Sequence, residues 1–159
     1  MKVADLELRA ATPDDAGFAA DLDTALRPDD PADPVVTRHW WTIEAADNVV
    51  ERWVAMKDGK PVGLVFQRHV AWEKMPERFG RVAADLLPAV RTAARLDALF
   101  AFVEERSRAD GTKRFTAWTW EDDRLRVDVL GAWLRRGTAR AVLGARSCRE
   151  QGPDREDGR

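Results

Sequence analysis

The chain has 159 residues, 45% hydrophobic and 34% charged, which suits one folded domain and excludes both a disordered tail and a membrane-embedded protein. Its 26 basic and 28 acidic residues give a net charge of −2, so no basic excess points to nucleic acid, and no apolar run nears the roughly 18 residues of a membrane span. Met1–Asp5 lacks a signal-peptide core and the single cysteine, Cys148, excludes an internal disulfide and a multi-cysteine metal site, which together set the cytoplasm as the expected location.

Leu6-Glu7-Leu8-Arg9-Ala10 alternates and predicts a short first strand. Thr12-Pro13-Asp14-Asp15 then carries a helix start: a hydroxyl cap, proline at the first helical position and an acid three residues after the cap. Phe18, Leu22 and Leu26 follow at i, i+4 and i+8 as the buried stripe. Arg27 to Pro34, with its prolines and aspartates, is a break. A second helix is expected from Val35 to Ala46, with Trp40, Ile43 and Val36 turned inward. Val49–Met56 and Pro61–Val70 form a hairpin about Lys57-Asp58-Gly59-Lys60, whose Asp-Gly pair tolerates positive φ. Lys74–Arg81 reads as a polar loop and Val82–Val90 as a short buried strand. Leu96, Leu99, Phe100 and Val103 sit at i, i+3, i+4 and i+7, an amphipathic helix ending near Asp110-Gly111. Arg114–Trp120 predicts a central strand, with Trp118 and Trp120 on one face as core. Asp122 or Asp123 caps a last helix through Leu130, Trp133 and Leu134 to Gly137, and a final strand covers Thr138–Ala145.

The resulting order, β-α-α-β-β-β-α-β-α-β, implies a single α/β domain: a mixed, mostly antiparallel sheet flanked by helices. Residues 1–148 form that domain and the polar residues 149–159 are expected to be a disordered tail.

Four segments in this order and spacing resemble the GNAT superfamily of N-acetyltransferases. Leu8-Arg9-Ala10-Ala11-Thr12-Pro13-Asp14-Asp15-Ala16 looks like its first strand and helix cap, and Trp53 to Gly63 like its second hairpin. Leu87-Pro88-Ala89-Val90-Arg91 and the Leu96 helix occupy the place of its cofactor strand, turn and helix; Trp120-Glu121-Asp122-Asp123 and Leu134-Arg135-Arg136-Gly137 resemble its last βα unit. The resemblance implies that pantetheine lies along a strand exposed by splaying, with the acetyl-CoA diphosphate on amides opening the next helix. It places cofactor contacts on Leu86, Leu87, Arg91, Thr92, Ala93, Ala94, Arg95 and Leu96, and on Trp133 in the last helix.

Three departures stand out against that pattern. The phosphate turn, in the family Arg/Gln-x-x-Gly-x-Gly/Ala, reads Arg91-Thr92-Ala93-Ala94-Arg95-Leu96, from which cofactor binding is expected to be lost or weakened relative to an intact member. Leu96 either crowds the phosphates or belongs to the core stripe, and Arg95 either adds charge for the phosphates or is solvated. The chain has no Tyr, and Trp133 occupies the place of the tyrosine that protonates the leaving thiolate in many members; an indole has no such proton to give. Thr138 replaces the usual Phe after Gly137, and a seventh strand of the family is missing or reduced.

Direct transfer needs a base for the acceptor. Glu121, at the end of the fifth strand, is the first candidate, set against an ordinary helix N-terminal acid; Asp85, in an apolar strand, is the second, set against a surface or arginine-paired acid. His69 titrates near neutrality if free, although a lone strand histidine is commonly structural, and His39 reads as a surface residue. Trp40, Trp41 and Trp72 would fall on the acceptor side, to cover a flat or cationic substrate or to fill the core. Cys148 has no adjacent histidine, and no His/Cys/Asp group has metal spacing. The function implied is direct transfer of an acetyl group from acetyl-CoA, as co-substrate, to the amine of a small molecule, with no nucleic acid or membrane partner and with a homodimer as an open state. The competing reading is a catalytically inactive GNAT-like module used for small-molecule binding or protein interaction.

Overall fold

The computed structural model describes residues 1–43, 48–70, 78–135 and 142–146. Its elements are β1 (Lys2–Val3), β2 (Leu6–Ala10), a 3₁₀ turn (Pro13–Asp15) running into α1 (Ala16–Leu26), α2 (Pro34–Thr42), β3 (Asn48–Lys57) and β4 (Lys60–Val70). There follow β5 (Arg78–Leu86), a 3₁₀ turn (Pro88–Val90), α3 (Ala93–Ala109), β6 (Thr112–Trp120), α4 (Arg124–Arg135) and β7 (Val142–Arg146). The seven strands lie side by side in chain order. Pairing is antiparallel from β1 to β5 and parallel from β5 to β6 and from β6 to β7. This is the mixed, mostly antiparallel sheet expected, with one two-residue strand added at its edge.

Local chemistry explains the turns. The β3–β4 hairpin closes on Asp58 (φ 49°) and Gly59 (φ 76°), both left-handed, which matches the strand twist. At the head of α1, Asp15 accepts a hydrogen bond from the Thr12 amide (2.8 Å), and Arg9 clamps the same carboxylate (2.6 and 2.9 Å). Leu96, Leu99, Phe100 and Val103 of α3 are all fully buried and pack with Phe115, Ala117, Leu130 and Trp133 into the main core. Each such side chain contributes about 1.5–3 kcal/mol of apolar burial. Side chains alternate across the sheet: Ala55 and Val65 join that core, whereas Val54 is buried on the opposite face, with α1 against β4.

Several expectations need correction. In α1, Leu22 is buried but Phe18 and Leu26 are only half-buried; Ala16, Ala19 and Ala20 form the rest of the buried face, because small side chains let the helix sit close to the sheet. Asp33 caps α2 and Pro34 opens it, and the helix ends at Thr42. Val36, Trp40 and Ile43 are exposed, not inward, since no apolar surface lies opposite that face among the described residues. Arg78–Arg81 belongs to β5 and not to a loop, and β5 ends at Leu86, where Pro88 cannot extend a ladder. Trp118 and Trp120 are not core; they face the cleft described below. The last strand spans 142–146, and the expectations for residues 44–46, 71–77, 136–141 and 147–159, including Trp72, Cys148 and the tail, lie outside the described residues.

Candidate active site

The two parallel strands β5 and β6 part company halfway along. They share register from Arg78 and Thr112 to Arg81 and Thr116 and no further. Yet β5 stays on β4 out to Leu86, and β6 stays on β7 out to Trp120. At the base of the V, a Cβ on Gly80 would meet the Thr112 methyl at 2.8 Å, so any larger residue there would force that side chain or the strands to shift. Above it, the peptide groups on one edge of Val82–Leu86 have no strand partner among the described residues. The V leads into a cleft of about 800 Å³, bounded by the end of α1, the segment 27–32, Phe66, both strand arms and the first turn of α4.

Ion pairs brace this cleft. Arg126, on α4, reaches across the V to Asp85 on β5. Arg91 grips Asp123 with both terminal nitrogens, one at 2.9 Å, and Asp123 also caps α4 by accepting from the Arg126 amide at 3.1 Å. Arg27, at the end of α1, lies over the Trp120 ring (3.8 Å) and pairs with Asp122 (2.9 Å), joining α1 to the turn before α4. Trp118 keeps an exposed indole in the cleft wall. Asp23, on the last turns of α1, is reachable by solvent at the lip, but the walls desolvate its carboxyl and the charge of Asp85 opposes its ionisation. Together they push it up to about 6 against the opposing pull of Arg126.

The start of α3 forms the shoulder of the same opening. The Thr92 hydroxyl caps it by accepting from the Arg95 amide (3.3 Å), and Ala93 and Ala94 are exposed. Arg95 folds back onto Asp5 (2.6 and 2.8 Å) and the Val90 carbonyl (2.6 Å). Arg95, then Lys57, hold Asp5 well below the usual carboxylate range. Leu96 is wholly buried, with its side chain in the core cluster.

The residues singled out from the sequence fall in distinct places. Asp85 and Arg91 line the cleft; Thr92, Ala93, Ala94 and Arg95 build the turn beside it; Leu86 ends the open arm as a core residue and Leu87 follows it, its amide donating to Val62 (2.8 Å). Glu121 is exposed in the turn after β6 and is not among the lining residues. Trp133 is buried against Phe100 and Phe115, and its Nε1 donates to Glu104. His69 is buried 3.6 Å from Asp110 beneath the C-terminal end of α3, His39 and Trp40 are exposed on α2, and the Trp41 ring carries Arg52 at 4.6 Å. Sequence reasoning missed Asp23, Arg27 and Arg126, whose only signal is charge on otherwise amphipathic helices. Among the described residues no group of three or more His, Cys, Asp or Glu could hold a metal, and no helix is long and apolar enough to cross a membrane.

No protein-family model and no curated protein sequence matches the chain. Solved structures do. A transcriptional regulator from Bacillus halodurans superposes with a TM-score of 0.65 at 18% identity, over 89% of this chain and 97% of that one. An acetyltransferase from Trypanosoma brucei gives 0.60 at 21%, over 80% and 92%. A ribosomal-protein-alanine N-acetyltransferase from Brucella melitensis gives 0.58 at 19%, over 86% and 92%. With its splayed parallel strands and its capped helix at their mouth, the chain has the fold of the GNAT N-acetyltransferases.

Proposed function

We propose that the protein transfers an acetyl group from acetyl-CoA directly to the amine of a small molecule. The observation that carries this reading is the divergence of β5 from β6 beyond Arg81 and Thr116, which leaves peptide groups with no strand partner among the described residues beside the exposed start of α3. An extended amide-rich arm finds ladder partners on such a strand edge, and a diphosphate finds first-turn amides and the positive end of the helix dipole. Ala93 and Ala94 leave those amides approachable, and Leu96 turns away into the core. With Arg91 and Arg95 already paired, backbone amides carry the anion on this reading. Asp85 then positions Arg126 across the V. The acceptor enters from the α1 side, where Trp118 and the 27–32 segment form the wall. A cytoplasmic setting, reducing and supplied with acetyl-CoA, goes with this reading and with a lone cysteine.

Thermal unfolding with and without acetyl-CoA tests it. A ligand at about 100 times its Kd adds roughly 2.7 kcal/mol to the folded state, or about 5–10 °C in Tm for a domain of this size. No shift at millimolar acetyl-CoA overturns the reading and leaves the inactive-module alternative.

A further inference from the structure

The carboxylates of the cleft are not equivalent. Asp85 is held by Arg126, Asp122 by Arg27 and Asp123 by Arg91, so each is an acceptor already engaged. Asp23 and Asp30 line the same cleft, and neither carboxylate makes a hydrogen bond or ion pair among the described residues; of the two, it is Asp23, on α1, whose carboxyl the walls desolvate. An acid that is partly desolvated and without a donor opposes folding, which is the usual mark of a group kept for chemistry. Trp118, which lines the same cleft, offers an open aromatic face, whereas the Trp120 ring is covered by Arg27. A free carboxylate and a bare indole in one cleft form a recognition pair for an organic ammonium with an apolar body.

We propose that Asp23 receives the acceptor's ammonium and is the base that deprotonates it, with Trp118 as the wall against its apolar part. The inference rests on the acetyl-transfer reading. Asp23 takes one proton from R–NH₃⁺, and the freed lone pair attacks the thioester carbonyl. The C–N bond forms and the C–S bond breaks. The second amine proton passes through water to the departing thiolate, giving the amide and CoA–SH, and Asp23 returns its proton to solvent. Asp85 on β5 and Arg126 on α4 act on Asp23 across the cleft, with Arg27, Asp30 and Arg81 lining the same space. A carboxyl that releases its proton near pH 6 is poised for this exchange at neutral pH.

The experiment compares wild type, Asp23→Asn and Asp23→Glu with acetyl-CoA and phenethylamine, reading thiol release across pH 5–9. Asp23→Asn is expected to lose about 100-fold or more in kcat and the acid limb near pH 6, to keep the acetyl-CoA thermal shift, and to be partly rescued by Asp23→Glu. Phenethylamine alone should raise the Tm of wild type but not of Asp23→Asn. A variant within about threefold of the wild-type rate with the same pH profile overturns the assignment while leaving acetyl transfer standing. Absence of an acetyl-CoA shift in wild type removes acetyl transfer; the amine-only arm then decides, and equal amine binding by wild type and variant, or none by wild type, overturns the role of Asp23.

Discussion

Asp123 links the two halves of the candidate site, and its removal should move stability and cofactor affinity in opposite directions. Asp123→Ala deletes the cap on the Arg126 amide, worth about 1 kcal/mol, and the charged hydrogen bonds to Arg91, together worth about 1.5–3 kcal/mol. Both partners are only 13% and 18% exposed, so solvent replaces little of that pairing. The sum, roughly 2.5–4 kcal/mol, corresponds to a Tm lower by about 5–15 °C in a domain of this size. Asp123→Asn keeps an oxygen for the cap and loses the charge, so it should fall between the variant and wild type. In both, Arg91 regains an unneutralised guanidinium beside the α3 turn, and acetyl-CoA should bind about three- to tenfold tighter, with a steeper salt dependence. Differential scanning fluorimetry and calorimetric titration read the two quantities separately. A Tm within 1 °C of wild type, or weaker cofactor binding in Asp123→Asn, would refute the view that Asp123 screens Arg91 from the phosphate side.

Two further substitutions probe the frame. A Cβ at residue 63 would lie 2.4 Å from the Asp85 carbonyl oxygen, so Gly63→Ala must push β5 off β4 and should cost about 1–3 kcal/mol, with a larger fractional loss of turnover than of Tm because Asp85 moves with the strand. Trp133→Phe removes the donor to buried Glu104 while Arg108 still holds the other carboxylate oxygen (2.8 Å), and should cost about 2–4 kcal/mol in urea unfolding; a cost below ~1 kcal/mol would mean the indole hydrogen bond contributes little. The pH dependence of stability isolates Asp23. Its carboxyl is raised in the folded state, so the folded form binds the proton more tightly, and stability falls as pH rises from about 4 to about 6. Asp23→Asn should therefore be more stable than wild type at pH 7.5 and equal to it near pH 4, and an identical difference at both would contradict the raised carboxyl.

What the sequence made legible was local. Lys57–Lys60 announced the hairpin because Asp-Gly is one of few pairs that accept two successive positive φ angles. The four residues from Leu96 to Val103 announced α3 because each faces the core on every turn. The candidate site was less legible because its contacts join residues far apart in the chain: Arg91 with Asp123, Asp85 with Arg126 and Arg27 with Asp122. Trp118 and Trp120 illustrate the limit. A strand apolar on both faces looks the same whether one face meets a core or a cleft, and only the splay of β5 from β6 uncovers theirs. Val36, Trp40 and Ile43 err the same way: periodicity marks an apolar face without supplying the surface to cover it.

The altered turn before α3 shows why a lost glycine pattern need not close an anion site. Glycine is useful there because no side chain stands between a phosphate and the amides. In this chain three side chains leave that space by direction. Thr92 bends onto the Arg95 amide as a cap, Arg95 folds back to Asp5 and Val90, and Leu96 enters the core. What remains at the exposed end of the helix is the pair Ala93 and Ala94, each presenting a methyl group. Their first-turn amides have no intrahelical acceptors, and the dipole is unopposed by acids in that turn. Hence the residue that matters for access is not Leu96, which stands at a glycine position but points inward, but Arg95, whose tether to Asp5 keeps its long side chain clear of the turn.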